Sequence, residues 1–288
     1  MIYLLLVSII WAFSFGLIKT NLATIDPVLV TVIRLFFASI VFLPFLRIKK
    51  LNKSLCITLL IIGSIQFGLM YIFYNIAFQY LKAYEVALFT IFTPIFVSIN
   101  SNIMDKKWNN SYILTSIMAI IGTGIIVQTQ FNRPGLIGGF LIVQLSNLCF
   151  AFGQVRYRKI MRAHENISDK EIFAIPYLGG LLTAALISIF FVQWNSVIIS
   201  PGQWLNLIYL GILASGFGFF MWNLGARRTN IGALAIFNNL KIPLSISVSL
   251  VFFQEKANLP NLIIGGVIVL IALLTNEIIE KQKILAHG

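Results

Sequence analysis

Ten long apolar runs dominate this chain: 2–18, 27–46, 55–79, 84–103, 112–129, 136–155, 173–192, 205–225, 231–253 and 261–279. An α-helix needs about 17–25 such residues to cross a bilayer. The runs are continuous and do not alternate apolar with polar residues, so they do not read as membrane strands. Only 10% of the residues are charged, against about 25% in a soluble domain. That leaves too little polar surface to cover a water-soluble globule of 288 residues. The pattern predicts an all-α membrane protein of ten transmembrane helices. The first run lacks a basic leader and a small-residue cleavage site, so it is expected to stay as the first span.

The joints between runs are short and rich in Pro, Asn and charge, except for the longer "RYRKIMRAHENISDKE" at 156–171. They also carry the topology signal. With the N-terminus in the cytoplasm, the outward ends hold Lys19, Lys82, Arg133 and Lys256, and Arg34 and Lys241 lie inside spans. The other fifteen of the 21 basic residues fall on inward segments. This asymmetry predicts cytoplasmic N- and C-termini in a bacterial inner membrane. It also accounts for most of the net charge of +12 without a nucleic-acid partner. No basic run interleaved with aromatics suggests one either.

Catalytic chemistry has little to build on. Cys56 and Cys149 stand alone in apolar runs, and His164 and His287 lie far apart in polar segments. No metal-ligand spacing, cofactor motif or nucleophile–base pair is present. The 156–171 joint holds the only loop cluster of reactive groups, and it reads as a solvated face. The chain is not expected to be an enzyme or to need a cofactor or metal.

The two halves echo each other. "YLKAYEVALFTIFTPIFVSINSNIMDKK" (80–107) parallels "TNIGALAIFNNLKIPLSISVSLVFFQEK" (229–256), which places Pro94 and Pro243 149 residues apart. Asn75 and Asn223 are 148 apart, and "WAFSFGLIK" at 11–19 parallels "FAFGQVRYR" at 150–158. Five spans per half is an odd number, so the second half enters from the opposite side. The expected architecture is two inverted-topology repeats, 1–133 and 134–288, a pattern shared by many secondary transporters.

With these motifs, together with "IRLFFASIVFLPF" in the second run and "FFMWNLGARRT" in the eighth, the chain resembles the EamA family of the drug/metabolite transporter superfamily. Its first repeat ends on Asp105, where the family more often has Glu. The resemblance implies a ten-helix basket around a central cavity, lined by helices 1, 3, 4, 6, 8 and 9 with helices 5 and 10 behind. It implies a carrier working by alternating access, with a small-molecule solute and the lipid bilayer as its partners.

Lys241 is the sharpest candidate. It lies ten residues into its run, about 15 Å along a helix. A charge at that depth costs about 2.5–3.5 kcal/mol unless it faces water or a partner. It faces either a wet cavity, where it attracts a substrate carboxylate, or a buried acid, for which Glu85 is the best candidate. Asn238, Lys241, Ser245 and Ser249 share one helix face. Pro94 and Pro243 each free a backbone carbonyl, at Thr90 and Asn239, which must turn toward protein or water. Further candidate cavity residues are Trp11, Tyr74, Asn75, Thr90, Gln144, Asn147, Trp222 and Asn223. Arg34, seven residues into its run, is expected to snorkel outward. Glu85 either couples transport to a proton or is an interfacial residue at a helix start. The small-residue rows Ser8-Ala12-Gly16 and Gly135-Gly139 are expected at helix contacts. Those in "IIGTGII" and "IIGGVIV" offer a face for a weak homodimer of an otherwise monomeric chain.

The favoured function is exchange or export of a small organic solute, an amino acid or a carboxylate-bearing metabolite. The alternative is proton-coupled efflux of cationic or lipophilic compounds, with Glu85 at its centre. A lipid-linked substrate flippase is the remote alternative.

Overall fold

The structure is a computed structural model. It describes residues 2–48, 51–105, 133–228 and 231–264, with 121, 122, 125, 266–268, 271, 275 and 278 as further positions. The side chains of 105, 231–236, 238 and 239 are outside it. So are most of the expected span 112–129, much of 261–279, and therefore part of both glycine rows assigned to a dimer face.

Seven helices are long and apolar enough to cross a membrane: α1 (Ile2–Asn21), α2 (Pro27–Phe45), α3 (Lys53–Tyr80), α4 (Ala83–Met104), α5 (Leu136–Ala163), α6 (Asp169–Phe191) and α7 (Pro201–Arg228). They are followed by α8 (Ile231–Val251), which continues through Pro243. No strand occurs among the described residues. Local chemistry marks the starts. Asp26 accepts from the Val28 and Leu29 amides with Pro27 in the first turn, and Ser200 and Gln203 form a reciprocal capping box before Pro201.

The helices run back and forth, so the bundle has two ends. At one, Lys19 Nζ donates to the Phe78 carbonyl at 2.6 Å, and Gln203 Nε2 to the Asn21 carbonyl at 3.2 Å. At the other, Asp169 at the start of α6 pairs with Arg227 at the end of α7. α1 packs on α8, α2 on α6 and α7, and α3 on α5 and α6. The α3–α6 crossing is close because Gly63 faces the Pro176 carbonyl and Gly179 the Leu60 carbonyl, where a methyl group has no room. Elsewhere Gly16 lies under Phe253 and Gly139 under Leu81, so both sequence rows sit at contacts. Large apolar side chains such as Leu186, Ile189 and Phe190 point outward and are well exposed. They give the bundle the greasy exterior that a lipid environment requires.

Two helices depart from α geometry. α3 widens into a π segment at Ser64–Leu69 and α7 into one at Leu210–Phe217. Such bulges frequently lie at functional sites. Side chains take up the carbonyls in the α7 segment. Trp11 Nε1 donates to Ala214 O at 2.8 Å, and the Tyr177 hydroxyl lies 2.7 Å from both Ser215 O and Gly216 O. α4 is interrupted at Thr90–Phe92 by a 3₁₀ turn just before Pro94. Thr93 Oγ1 donates to the freed Thr90 carbonyl at 2.6 Å. A neighbouring hydroxyl thus satisfies the group that the proline exposes.

Candidate functional site

A cavity of about 60 Å³ lies in the middle of the bundle, lined from α1, α2, α3, α4, α5, α7 and α8. Those helices correspond to predicted spans 1, 2, 3, 4, 6, 8 and 9, so the second span joins the six expected ones. Of the residues singled out in the sequence, Trp11, Tyr74, Thr90, Asn147 and Lys241 reach its wall. Ser14, Phe15, Tyr71, Phe150 and Phe219 complete much of the rest. The free volume has room for a few waters.

Lys241 is 6% exposed. Its ammonium lies 5.4 Å from the Trp11 ring, 5.4 Å from Phe150 and 6.0 Å from Trp222. Aromatic faces carry negative potential and attract a cation, more strongly when water is excluded. The rings are packed on one another, with Trp11 and Trp222 5.0 Å apart and Trp11 and Phe219 4.9 Å apart. Glu85 is not the partner of Lys241. It pairs with Arg133 at 2.6 Å and accepts from the Lys82 amide at 2.9 Å at the start of α4.

Arg34 corrects the sequence reading. It is 2% exposed and points inward, not outward. Its Nε donates to Ser215 Oγ at 3.2 Å and its Nη2 to the Tyr71 hydroxyl at 3.0 Å. Those two hydroxyls are 2.7 Å apart, and the guanidinium carbon sits 4.1 Å from the Tyr71 ring centre. Partners on α3 and α7 hold the side chain in the core. Nothing in the second run taken alone announces them.

The other polar candidates satisfy neighbouring groups. Asn147 Nδ2 and Gln144 Nε2 both donate to the Phe89 carbonyl, at 2.9 and 3.3 Å, and only Asn147 lines the cavity. Ser245 Oγ donates back to Lys241 O at 2.6 Å. Trp222 Nε1 donates to Gln154 Oε1 at 3.2 Å, and Gln66 Nε2 to Asn223 Oδ1 at 3.3 Å. These form a buried amide layer outside the cavity lining. Asn75 donates to Thr31 Oγ1 at 2.9 Å and borders a separate cavity of about 310 Å³ near Lys19. The Asn238 side chain lies outside the described residues.

No carboxylate among the described residues lines the central cavity. Asp26 caps α2, Glu85 meets Arg133, Asp169 meets Arg227 and Glu171 meets Arg47. Glu255 accepts from the Ala83 and Tyr84 amides at 2.8 and 3.0 Å, and Glu165 borders a separate pocket at the Asp169 end. No metal-binding cluster occurs among the described residues.

A multi-helix bundle with a lipid-compatible exterior and a small, buried, cationic cavity has the form of a membrane carrier for a small molecule. The sequence pattern of the EamA-like transporter family matches residues 1–128 and 137–276. The chain belongs to that family, a branch of the drug/metabolite transporters. A probable biotin transporter of Pseudomonas aeruginosa is 32% identical over 282 residues, covering 97% of this chain and 98% of that one. Biotin transporters of Salmonella typhimurium and Escherichia coli are each 34% identical over 277 residues, covering 95% of this chain and 91% of theirs. A solved crystal structure shares the fold, with a TM-score of 0.71 over 98% of this chain and 97% of that one at 17% identity. The curated relatives are named as transporters, which supports a non-enzymatic function for this chain. They give the amino-acid reading no support.

Proposed function

We propose that this chain carries biotin, or a small carboxylate closely similar to it, across the bacterial inner membrane by alternating access. The observation that carries this reading is a pair of buried cations, Lys241 and Arg34, at a cavity with no carboxylate among its described lining residues. Biotin supplies the missing negative charge, and its fused rings suit the Trp11–Phe150–Phe219 wall. The curated relatives named for biotin support the choice. A cationic cargo would find no counter-charge there, and Glu85 is engaged by Arg133.

The finer architecture belongs to the same reading: ten spans, two inverted repeats divided near 133 and 134, and cytoplasmic termini. π segments at Ser64–Leu69 and Leu210–Phe217 support related halves, as does the two-part family match. α4 and α5 start at the same end of the bundle, which supports a further crossing between them.

Uptake of radiolabelled biotin into proteoliposomes tests the function. Saturable uptake that Lys241→Met abolishes and Glu85→Gln retains, normalised to reconstituted protein, is the expected result. Loss in Glu85→Gln with retention in Lys241→Met would overturn it in favour of cation efflux.

A further inference from the structure

Arg34 and Lys241 are both buried cations, yet the protein presents them differently. The Arg34 guanidinium has its Nε and Nη2 occupied by Ser215 and Tyr71. Its Nη1 is buried and has no hydrogen-bond partner among the described residues. A guanidinium grips a carboxylate best as a fork, through two nitrogens at once. The side-on fork of Arg34, Nε with Nη2, is taken by neutral hydroxyls, and Nη1 is the nitrogen left wholly unpaired. Arg34 lines the cavity, held by the Tyr71 ring against its guanidinium and by Ser215 in the π segment of α7. An orphaned donor this deep is costly if nothing meets it. Lys241 is a compact charge on a flexible stem, framed by aromatic faces and suited to a carboxylate from several angles.

We infer that the two cations divide the substrate between them: Lys241 takes the carboxylate, and Arg34 Nη1 donates to the ureido carbonyl oxygen at the other end of the biotin molecule. This rests on the substrate reading above and extends it. Arg34 becomes the residue that separates biotin from ring-bearing carboxylates that lack a urea. Discrimination of this kind comes from the buried donor itself. A cargo without the acceptor leaves Nη1 unpaired and binds worse, whereas aromatic walls alone reject it only weakly.

Competition against radiolabelled biotin uptake in proteoliposomes tests the division with three unlabelled ligands. Biotin and desthiobiotin carry both a carboxylate and a ureido ring, and lipoate carries only the carboxylate. Wild-type protein is expected to bind the two ureido compounds more tightly than lipoate. Arg34→Leu should weaken biotin and desthiobiotin by about 10- to 100-fold, the usual range for a hydrogen bond from a charged donor. Lipoate should change by no more than about twofold. Lys241→Met abolishes the uptake that this competition reads, so that variant is read by ligand-induced thermal stabilisation, where all three ligands should weaken together. If Arg34→Leu weakens lipoate as much as biotin, Arg34 is reading the carboxylate and the assignment falls.

Should Arg34→Leu fail to fold, the double variant Tyr71→Phe, Ser215→Ala keeps the arginine and frees its fork. The preference should then move toward lipoate, and an unchanged biotin-to-lipoate ratio would overturn the inference. Wild-type protein that carries no biotin would instead overturn the substrate reading, a failure visible before any variant is made.

Discussion

At the Asp169 end of the bundle, Arg227 meets Asp169 at 2.6 Å, and the Tyr157 hydroxyl donates to the same carboxylate at 2.7 Å. In the centre, Arg34 is buried more completely and, among the described residues, meets two hydroxyls and a ring. Sequence gives the two arginines the same chemistry, but the fold gives them different tasks. A charge closed by an acid is structural and holds α6 to α7. Under the proposed function, a charge left open at the cavity is a binding resource, framed by hydroxyls and aromatic faces. The same contrast separates Glu85, closed by Arg133, from Lys241, which only rings surround among the described residues.

The contrast is sharpest in stability. Asp169→Asn leaves Arg227 without its counter-charge in a largely buried place. Such broken pairs cost about 3–5 kcal/mol, and the partial exposure of Arg227 puts this one toward the lower figure. Thermal unfolding in detergent should show a clear drop. Lys241→Met does the reverse: it removes an uncompensated charge from an apolar frame, so the melting temperature should hold or rise while biotin uptake disappears. A large loss of stability in Lys241→Met would place that lysine with the structural charges and dissolve the comparison.

Smaller effects follow where a neutral group or a helix end is closed. Thr93→Val strips the hydroxyl from the Thr90 carbonyl. A buried acceptor left unmet costs about 1–3 kcal/mol, and the same unfolding assay should register it. Glu255→Gln weakens the carboxylate that ties the end of α8 to the first amides of α4. The amide oxygen can still accept, so the loss should be about 1 kcal/mol, the scale of one helix cap with its dipole attraction.

Sequence carried much of this arrangement. Continuous apolar runs located the seven long helices, because lipid thickness fixes their length. The ends were less legible. α5 continues through the basic "RYRKIMRA" to Ala163, where the joint was expected to begin. Hydropathy marks where lipid stops, whereas backbone hydrogen bonding continues until a stop signal. Lys241 stood out because its depth could be measured along one run. Arg34 was missed because it sits nearer a run end, where snorkelling is the default for an isolated helix. Its real partners, Tyr71 and Ser215, are 37 and 181 residues away. Asn147 and Gln144 lie on one helix face and bond the same carbonyl, yet only Asn147 reaches the cavity. A polar side chain at this depth can serve a cavity or a neighbouring backbone, and spacing along one helix does not separate the two.

An exposed ion pair supplies the control. Arg47 and Glu171 approach to 3.5 Å, and the Arg47 side chain is 66% exposed. Water already screens both charges, and ordering a long side chain offsets much of the attraction, so pairs of this kind contribute about 0–1 kcal/mol. The Arg47 amide also donates to the Glu171 carbonyl at 2.9 Å, and Arg47→Ala keeps that bond. The substitution should therefore shift the melting temperature little, and about 1 M salt should erase the shift, because screening there acts within about 3 Å. Asp169→Asn should keep most of its cost in the same salt, since its partner lies largely out of water. Equal salt sensitivity in the two variants would mean that the Asp169–Arg227 pair is solvated as well. Burial would then no longer set the structural charges apart from the open pair at the cavity.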